Sequence, residues 1–384
     1  MTERIGKIGD YITVIDNRNT DGSITKLMGI SIDKCYIPSV ANVIGTDLNN
    51  YKVIRKGQFA CSLMQVSRDE RIPIAMYVDE APAIMSPAYV IFEVSRPEDL
   101  LPEYMELWFK RSEFDREASF YAVGGVRGSL DWDDFCNISI PVPSVLAQQK
   151  FVNDYRSIKD RIDLLDRIND VLEQTLSVVF EQMFIKDEGV EFSYQKLCEI
   201  TKTIDNRGKT PPNDSKETPY PLIEIASLRT SGRITTYRNC TKFVDQKTYT
   251  EWFRSGHPRQ KDILMSTVGS LAELKLFWGS KGSIAQNIVA FRCTDDKLPM
   301  YLYQYLLYKQ NDLTAYEIGS VQASIKVSQV VNYEIAIPPY ELLCEFDSIA
   351  TKLTELIFCF EEEKILCHNV LDILLQKFSV FHDE

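Results

Sequence analysis

The sequence predicts a mixed α/β fold (α+β) built as an internal duplication. Two tandem globular domains are each followed by a long α-helix, and the two helices pack as an antiparallel coiled coil. Three observations predict this arrangement. Short motifs recur in the same order, each half changes from a β-rich to a heptad pattern, and 384 residues exceed the usual size of one domain.

Three pairs of motifs define the duplication, and they keep their order at nearly constant spacing. The pairs are Ile15-Asp-Asn-Arg18 with Ile204-Asp-Asn-Arg207 at an offset of 189 residues, Val126-Arg-Gly-Ser-Leu130 with Val321-Gln-Ala-Ser-Ile325 at 195, and Ile140-Pro-Val-Pro143 with Ile337-Pro-Pro339 at 197. Collinear matches of this kind indicate that the second half repeats the plan of the first.

The residue pattern of each half changes at the proline motif. Before Pro141 and before Pro338, β-branched and aromatic residues are interrupted by Gly, Pro, Asn and Asp, which is typical of mixed α and β structure. After these prolines, apolar residues recur at helical spacing. The sequence therefore predicts globular domains at residues 1–144 and 187–339, and helices at residues 145–186 and 340–384.

Apolar residues spaced alternately three and four apart predict the seam along which the helices pack. The seam residues are Phe151, Ile158, Leu165, Asn169 and Leu172 in the first helix, and Leu353, Leu356, Phe360, Val370 and Leu374 in the second. An antiparallel pair is favoured because it sets the two domains at opposite ends, related by a pseudo-twofold axis. Asn169 either fixes the register of the pair or is a polar residue tolerated at a partly hydrated seam.

The charge of the chain is unevenly distributed. It has 43 Lys and Arg against 55 Asp and Glu, a net charge of −12 that argues against nucleic-acid binding by the chain as a whole. Residues 191–339, however, contain 19 basic and 15 acidic residues, whereas residues 340–384 contain 3 and 10. A locally basic face is therefore compatible with the acidic total. Residues 1–144, with 15 basic and 21 acidic residues, are the main objection to it.

Motifs that resemble catalytic sites lack the residues that the chemistry needs. Ile337-Pro-Pro-Tyr340 resembles the Asn-Pro-Pro-Tyr loop of adenine methyltransferases, but isoleucine accepts no hydrogen bond from an amino group. Glu361-Glu-Glu-Lys364 contains the Glu-x-Lys of many nucleases, yet it lies inside the second helix, and we interpret it as a solvated helix face. We predict no catalytic residue in this chain.

Metal, cofactor and membrane sites are not predicted either. The nine cysteines form no C-x-x-C pair and only three histidines are present, so disulfides, a metal site and a bound cofactor are not expected. The start lacks a signal-peptide pattern, and no apolar run approaches eighteen residues. We expect a cytoplasmic protein without a membrane partner.

Two halves, each closed by Ile-Pro-x-Pro or Ile-Pro-Pro and followed by a long helix, resemble the specificity subunits of type I restriction-modification systems. The resemblance covers essentially the whole chain. It implies two target recognition domains that each read one half of a split site in double-stranded DNA, with the helices as a spacer. It also implies two modification (methyltransferase) subunits and restriction (motor endonuclease) subunits as partners, which carry the chemistry that this chain lacks.

Polar loop residues are the candidates for DNA contact, because Arg pairs bidentately with guanine, and Asn or Gln with adenine. They are Arg18, Asn19, Gln65, Arg68 and Arg71 in the first half, and Arg207, Lys209, Arg229, Arg233 and Arg238 in the second. Each of them is either a base reader or a phosphate contact or solvated charge without sequence information. The alternative for the whole chain is a non-catalytic protein–protein scaffold with duplicated ligand-binding domains, which the acidic first half favours.

Overall fold

The computed structural model describes residues 4–39, 47–64, 66–123, 128–235, 237, 240–279, 281–318 and 323–378. The chain divides into two compact units. The first comprises Met1–Arg161 and Cys367–Glu384, and the second comprises Ile162–Leu366. The division between the units falls inside both long helices, whereas the sequence predicts domain limits at the helix ends.

The first unit is a mixed α/β structure. Four of its strands form an antiparallel sheet in the order β2-β9-β6-β7, while β1 pairs with β10, β3 with β4 and β5 with β8, all antiparallel. In chain order the elements are β1 (Arg4–Lys7), β2 (Ile12–Ile15), β3 (Met28–Ile30), β4 (Tyr36–Pro38), β5 (Lys52–Ile54), β6 (Phe59–Cys61), α1 (Val66–Asp69), β7 (Ile74–Met76), β8 (Ala83–Met85), β9 (Val90–Val94), α2 (Pro102–Phe109), α3 (Ser112–Ala122), α4 (Trp132–Asn137) and β10 (Ser139–Val142).

The central sheet of the first unit is covered on both faces, because successive strand residues point to opposite sides. Phe59 and Phe92 point to the helical side, where their rings lie 5.7 and 6.3 Å from the ring of Phe109. Ala60 and Ile91 point to the other side and pack with buried residues of β5 and β8. The strands therefore consist almost entirely of apolar residues.

The second unit repeats this strand order. Its four-stranded antiparallel sheet is β12-β17-β14-β15, β11 pairs with β20 as β1 pairs with β10, β18 pairs with β19, and β13 pairs in parallel with β16. The elements are β11 (Ser193–Lys196), α6 (Leu197–Ile200), β12 (Thr201–Ile204), β13 (Leu222–Ile223), α7 (Ile225–Leu228), α8 (Gln246–Glu251), β14 (Ile263–Ser266), β15 (Leu274–Leu276), β16 (Ser283–Ile284), β17 (Ile288–Cys293), α9 (Leu298–Tyr308), α10 (Gln310–Thr314), β18 (Glu317–Ile318), β19 (Ser324–Ile325), α11 (Val327–Val330) and β20 (Glu334–Ile337). The predicted mixed α/β fold is confirmed.

Two long helices follow the proline motifs: α5 (Val145–Phe184), with 40 residues, and α12 (Tyr340–Lys377), with 38. Their first residues are those predicted from the sequence, and residues 379–384 of the second predicted helix lie outside the described residues. Helix α5 begins after Pro143-Ser144, where the Ser144 hydroxyl accepts a hydrogen bond of 3.3 Å from the backbone N–H of Ala147, as an N-cap residue does.

Within the second unit, the portions of the two helices lie side by side in opposite directions. Asp166 is 2.5 Å from the ammonium group of Lys364, whereas further along α5 the ring of Phe180 lies 5.9 Å from that of Phe346. Later residues of α5 thus contact earlier residues of α12. Glu361 accepts a hydrogen bond of 2.7 Å from Asn169 on α5, so the Glu361–Lys364 segment, predicted as a solvated helix face, instead contributes two residues to the contact between the helices.

The predicted seam is wrong in part for α12. Leu356 is 45% exposed and Val370 is 43% exposed, whereas their neighbours Ile357 and Leu371 are 1% and 6% exposed. The buried stripe thus lies one residue further along, which corresponds to a rotation of about 100° around the helix. The other predicted seam residues are buried or half-buried: Phe151, Ile158, Leu165, Asn169, Leu172, Leu353, Phe360 and Leu374.

The hydropathy of the helices bears on membrane association. Within the described ranges, none of the helices combines the length and the apolar character that crossing a bilayer requires.

Candidate nucleic-acid interface

The two Ile-Asp-Asn-Arg motifs stand at equivalent places, immediately after strands β2 and β12. In both, the arginine pairs with the aspartate two residues earlier. Arg18 lies 2.8 Å from Asp16, and Arg207 Nη2 lies 2.7 Å from Asp205. The hydrogen bond from Arg18 lowers the pKa of Asp16. Partial burial raises the pKa of Asp205, but its bonds to Arg207 outweigh this and the pKa is lowered.

These arginines are partly committed to the loops that carry them. Arg18 also donates a hydrogen bond of 2.8 Å to the backbone carbonyl of Asn50, which joins the motif to the chain just before strand β5. The side chains of Arg18 and Arg207 are each about one-third exposed. Both positions therefore combine a structural role with some solvent access.

Asn19 does not lie on the surface, and its predicted role as a base reader is wrong. Its side chain is buried, donates a 2.9 Å hydrogen bond to the carbonyl of Ile24 and accepts one of 3.1 Å from the N–H of the same residue. The amide thus closes a loop from the inside. Because the side chain is buried, its second N–H and its second lone pair do not reach a base edge.

The remaining candidates of the first unit are exposed but paired with carboxylates. Arg68, at the end of α1, forms a bidentate ion pair of 2.7 and 3.1 Å with Asp69, and Arg71 lies 3.0 Å from Asp33. Gln65 lies outside the described residues. Each described arginine candidate of this unit therefore has an acidic partner, which agrees with the acidic excess in residues 1–144.

In the second unit, two loops bring basic residues together. The loop after β12 contains Arg207 and the exposed Lys209, and it is joined to a second loop by hydrogen bonds. Arg254 donates 2.8 Å to the carbonyl of Arg207, and Ser255 donates 2.8 Å from its backbone N–H to Asn206. We call residues 205–209 and 254–256 the basic loop pair. Sequence reasoning missed Arg254, although Ser-Gly-His-Pro after it is a turn signal.

Another exposed cation of this unit, Arg229, follows helix α7. Its Nε donates a hydrogen bond of 2.6 Å to the hydroxyl of Ser270, and the side chain is exposed. Arg238 lies outside the described residues. Arg229 stands at the start of a short turn, residues 229–232, whose Ser231 and Gly232 are also exposed.

Arg233, directly after this turn, is 0% exposed, so its predicted role as a base reader is also wrong. Its backbone N–H and its Nε both donate to the carboxylate of Glu173 on α5, at 2.6 and 3.0 Å, and Nη2 donates 3.2 Å to Gln304 on α9. A buried charge requires partners of this kind, and here the partner is sixty residues away in the chain.

Lys275 was not singled out from the sequence, because a lysine in a Leu-Lys-Leu strand is usually exposed. It is buried, and its ammonium group donates to the carbonyls of Thr230, Ser231 and Gly232, at 2.5 and 3.3 Å for the first two. Burial lowers the pKa of Lys275 to about 8, against the opposing effect of Glu173 and other carboxylates. Lys275 is thus a second buried cation, after Arg233, that holds the turn from the protein interior.

Within the described ranges, no three His, Cys, Asp or Glu side chains come together as a metal site would require. The ring of His257 lies 2.7 Å from the carbonyl of Tyr249 and 3.1 Å from the hydroxyl of Ser283, and burial lowers its pKa. Both ring nitrogens are thus engaged in holding the second unit together.

Comparisons with known proteins agree with the fold. Residues 188–361 match the family described as Type I restriction modification DNA specificity domain. The type I restriction enzyme MjaIX specificity subunit of Methanocaldococcus jannaschii is 20% identical over 313 residues, which are 73% of this chain and 69% of that protein. The crystal structure of the type I restriction-modification system S subunit from M. genitalium has the same fold, with a TM-score of 0.57 and 11% identity over 98% of this chain and 96% of that one. Residues 188–361 therefore match a type I restriction-modification DNA specificity domain, and the chain as a whole is similar to specificity subunits of these systems.

Proposed function

We propose that this chain recognises a bipartite DNA site and directs methyltransferase and restriction subunits to it, without catalysis of its own. The observation that carries the proposal is the repeated strand order, β2-β9-β6-β7 and β12-β17-β14-β15, with a long helix after each copy. In a family of specificity subunits, two equivalent units suit two half-sites on one duplex. The globular parts at residues 1–144 and 187–339 are then the target recognition domains.

In this proposal the two helices form an antiparallel coiled coil that relates the recognition domains by a pseudo-twofold axis and sets the gap between the half-sites. The 40 residues of α5 correspond to about 60 Å at about 1.5 Å per residue. The opposite directions of the helix portions in the second unit support this arrangement.

DNA contact in the second unit is assigned to the basic loop pair and to the turn that begins at Arg229. Lys209 has no ion-pair or hydrogen-bond partner among the described residues and lies in a loop with Arg207 and Arg254, which suits phosphate contact. Arg229 is exposed on a turn that is anchored from below, so it is our candidate for base reading. In the first unit, Arg68 and Arg71 are the candidates for DNA contact. On binding, each would leave its carboxylate partner and contact DNA in its place.

Docking of the two modification subunits is assigned to the outer faces of the helices. Leu164, Val171 and Val178 of α5 lie seven residues apart and are all exposed. At about 100° per residue, Val171 points away from the seam residue Asn169, so the three form an unpartnered apolar stripe. Helices of partner subunits are expected to cover it.

The docking assignment is tested with Val171→Glu in the chain co-expressed with its modification subunits. We expect the modification subunits to be lost on purification, because a charge replaces an apolar contact. Gln149→Glu, an exposed position of α5 about 22 Å along the helix from Leu164, is the matched control and should retain them. Equal retention by both variants contradicts the assignment.

The function itself is tested by selection of DNA. The chain with its modification subunits is mixed with a random duplex pool, and the retarded fraction is sequenced. We expect two short sequence preferences separated by a fixed number of unspecified base pairs. The acidic excess of residues 1–144 favours the alternative of a protein-binding scaffold, in which case no sequence is enriched over the starting pool.

A further inference from the structure

We propose that Glu173 and Arg233 are positioning residues, which fix the turn of residues 229–232 on helix α5 and thereby set the base preference of the second recognition domain. The inference rests on the proposed function and extends it. It assigns a part in sequence specificity to Glu173, a residue of α5 that lies outside the recognition domain. Neither residue is expected to touch DNA.

The first step is that Glu173 binds the main chain at the end of the turn, and not only a side chain. One carboxylate oxygen accepts the backbone N–H of Arg233 at 2.6 Å, and the other accepts its Nε and Nη2 at 3.0 and 2.9 Å. A carboxylate that binds both groups fixes the position and the orientation of the residue. The end of the turn is therefore located by α5.

The second step is that the guanidinium group of Arg233 has few hydrogen-bond partners other than Glu173. Arg233 is fully buried, and Gln304 accepts from its Nη2 while donating a 3.1 Å hydrogen bond to Ser177, again on α5. Its Nη1 has no hydrogen-bond partner among the described residues, and the guanidinium carbon lies 5.4 Å from the ring centroid of Tyr303. Loss of Glu173 would leave a buried charge largely uncompensated.

The third step concerns the part of the turn that faces solvent. The buried ammonium group of Lys275 donates hydrogen bonds to the carbonyls of residues 230–232 from the protein interior. The exposed surface of the turn is therefore formed by Arg229, Ser231 and Gly232. Gly232 has a φ of +76°, in the left-handed region that favours glycine. A tightly held turn that begins with an exposed arginine presents that arginine in one place, which sequence discrimination requires.

The test measures base preference at each half-site by sequencing bound duplexes, using the complex of the chain with its modification subunits. Glu173→Gln keeps the size of the side chain but removes its charge. We expect preference at the second half-site to fall roughly tenfold, as for the loss of one well-placed base contact, with preference at the first half-site and affinity for random DNA unchanged. Glu181→Gln, on the same helix and paired with Lys186, is the matched control and should change neither half-site.

The milder variant Arg233→Lys keeps the buried charge but loses the planar fork, and it should give an intermediate loss confined to the same half-site. Amide hydrogen exchange at residue 233, whose backbone N–H is bound by Glu173, should become faster in both variants. Unchanged preference in a folded Glu173→Gln protein overturns the inference, and so does an equal loss at both half-sites. Absence of any preference in the unmodified complex is a different result, which contradicts the proposed function itself.

Discussion

The side-chain amide of Asn169 donates a hydrogen bond of 2.7 Å to Glu361, which joins α5 to α12 in the second unit. The carbonyl oxygen of the same amide is buried and has no partner among the described residues. The pair therefore combines a specific contact with an uncompensated polar atom, as expected of a polar residue that specifies how two helices align at some loss of stability.

Replacement of Asn169 by leucine should raise the free energy of unfolding by about 1 kcal/mol, because it removes a buried polar atom without a partner. Urea unfolding followed by circular dichroism measures this. Glu361 keeps its ion pair with Lys364 in the variant, so no new unpaired charge arises. A loss of more than 1 kcal/mol would mean that the bond to Glu361 contributes more than apolar packing does.

Two neighbouring residues of α12 test where the seam lies. Ile357→Ala should cost about 2–4 kcal/mol in unfolding free energy, because Ile357 belongs to the core of the second unit. Leu356→Ala, next to it in the chain but 45% exposed, should cost less than 1 kcal/mol. If the two costs were reversed, the stripe predicted from the sequence would be correct after all.

The buried ammonium of Lys275 makes stability depend on pH in a definite direction. Its pKa of about 8 in the folded chain lies below the value of about 10.4 that is usual for an unfolded lysine. Between these values the unfolded chain holds a proton that the folded chain has lost, so the stability contributed by Lys275 rises with pH.

The measurement is the difference in unfolding free energy between the natural chain and Lys275→Met, at pH 7.5 and at pH 9.5. We expect the difference to shift in favour of the natural chain by about 2 kcal/mol at the higher pH. A difference that does not change with pH contradicts the assignment of the proton to Lys275.

Two arginines of the second unit should separate phosphate contact from base reading. Arg254→Ala, in the basic loop pair, should weaken binding of all duplexes alike and reduce the slope of log K against log salt by about 1. Arg229→Ala should cost about 1–3 kcal/mol on the preferred duplex only and relax preference at one base position. Titrations at several salt concentrations with preferred and random duplexes measure both, and uniform weakening by both variants would make Arg229 a phosphate contact.

Sequence patterns were sufficient where the signal is local. Prolines at 141, 143, 338 and 339 mark the starts of α5 and α12, because a proline motif before a heptad repeat fixes where a helix begins. The mixed α/β character likewise follows from short apolar strands between turn residues. These features depend on neighbours in the chain, which a single sequence contains.

Prediction failed where tertiary contacts choose between local alternatives. Around Leu356 and Ile357 several successive residues are apolar, so two adjacent stripes fit the same spacing, and packing in the core of the second unit selects one. Arg233 follows Ser-Gly and has the pattern of an exposed turn residue, yet Glu173 buries it. No spacing rule connects residues sixty positions apart, so the candidate site was only partly predictable.

The central claim is that two recognition domains on a helical spacer read two half-sites at a fixed gap. It is tested by deleting one heptad from each long helix and mapping the methylated sites of the reconstituted complex. Seven residues correspond to about 10 Å along a helix, or about three base pairs of DNA. We predict that both half-site sequences stay the same while the unspecified gap between them shortens by about three base pairs. Methylation at the original gap, with only a lower yield, would contradict the claim.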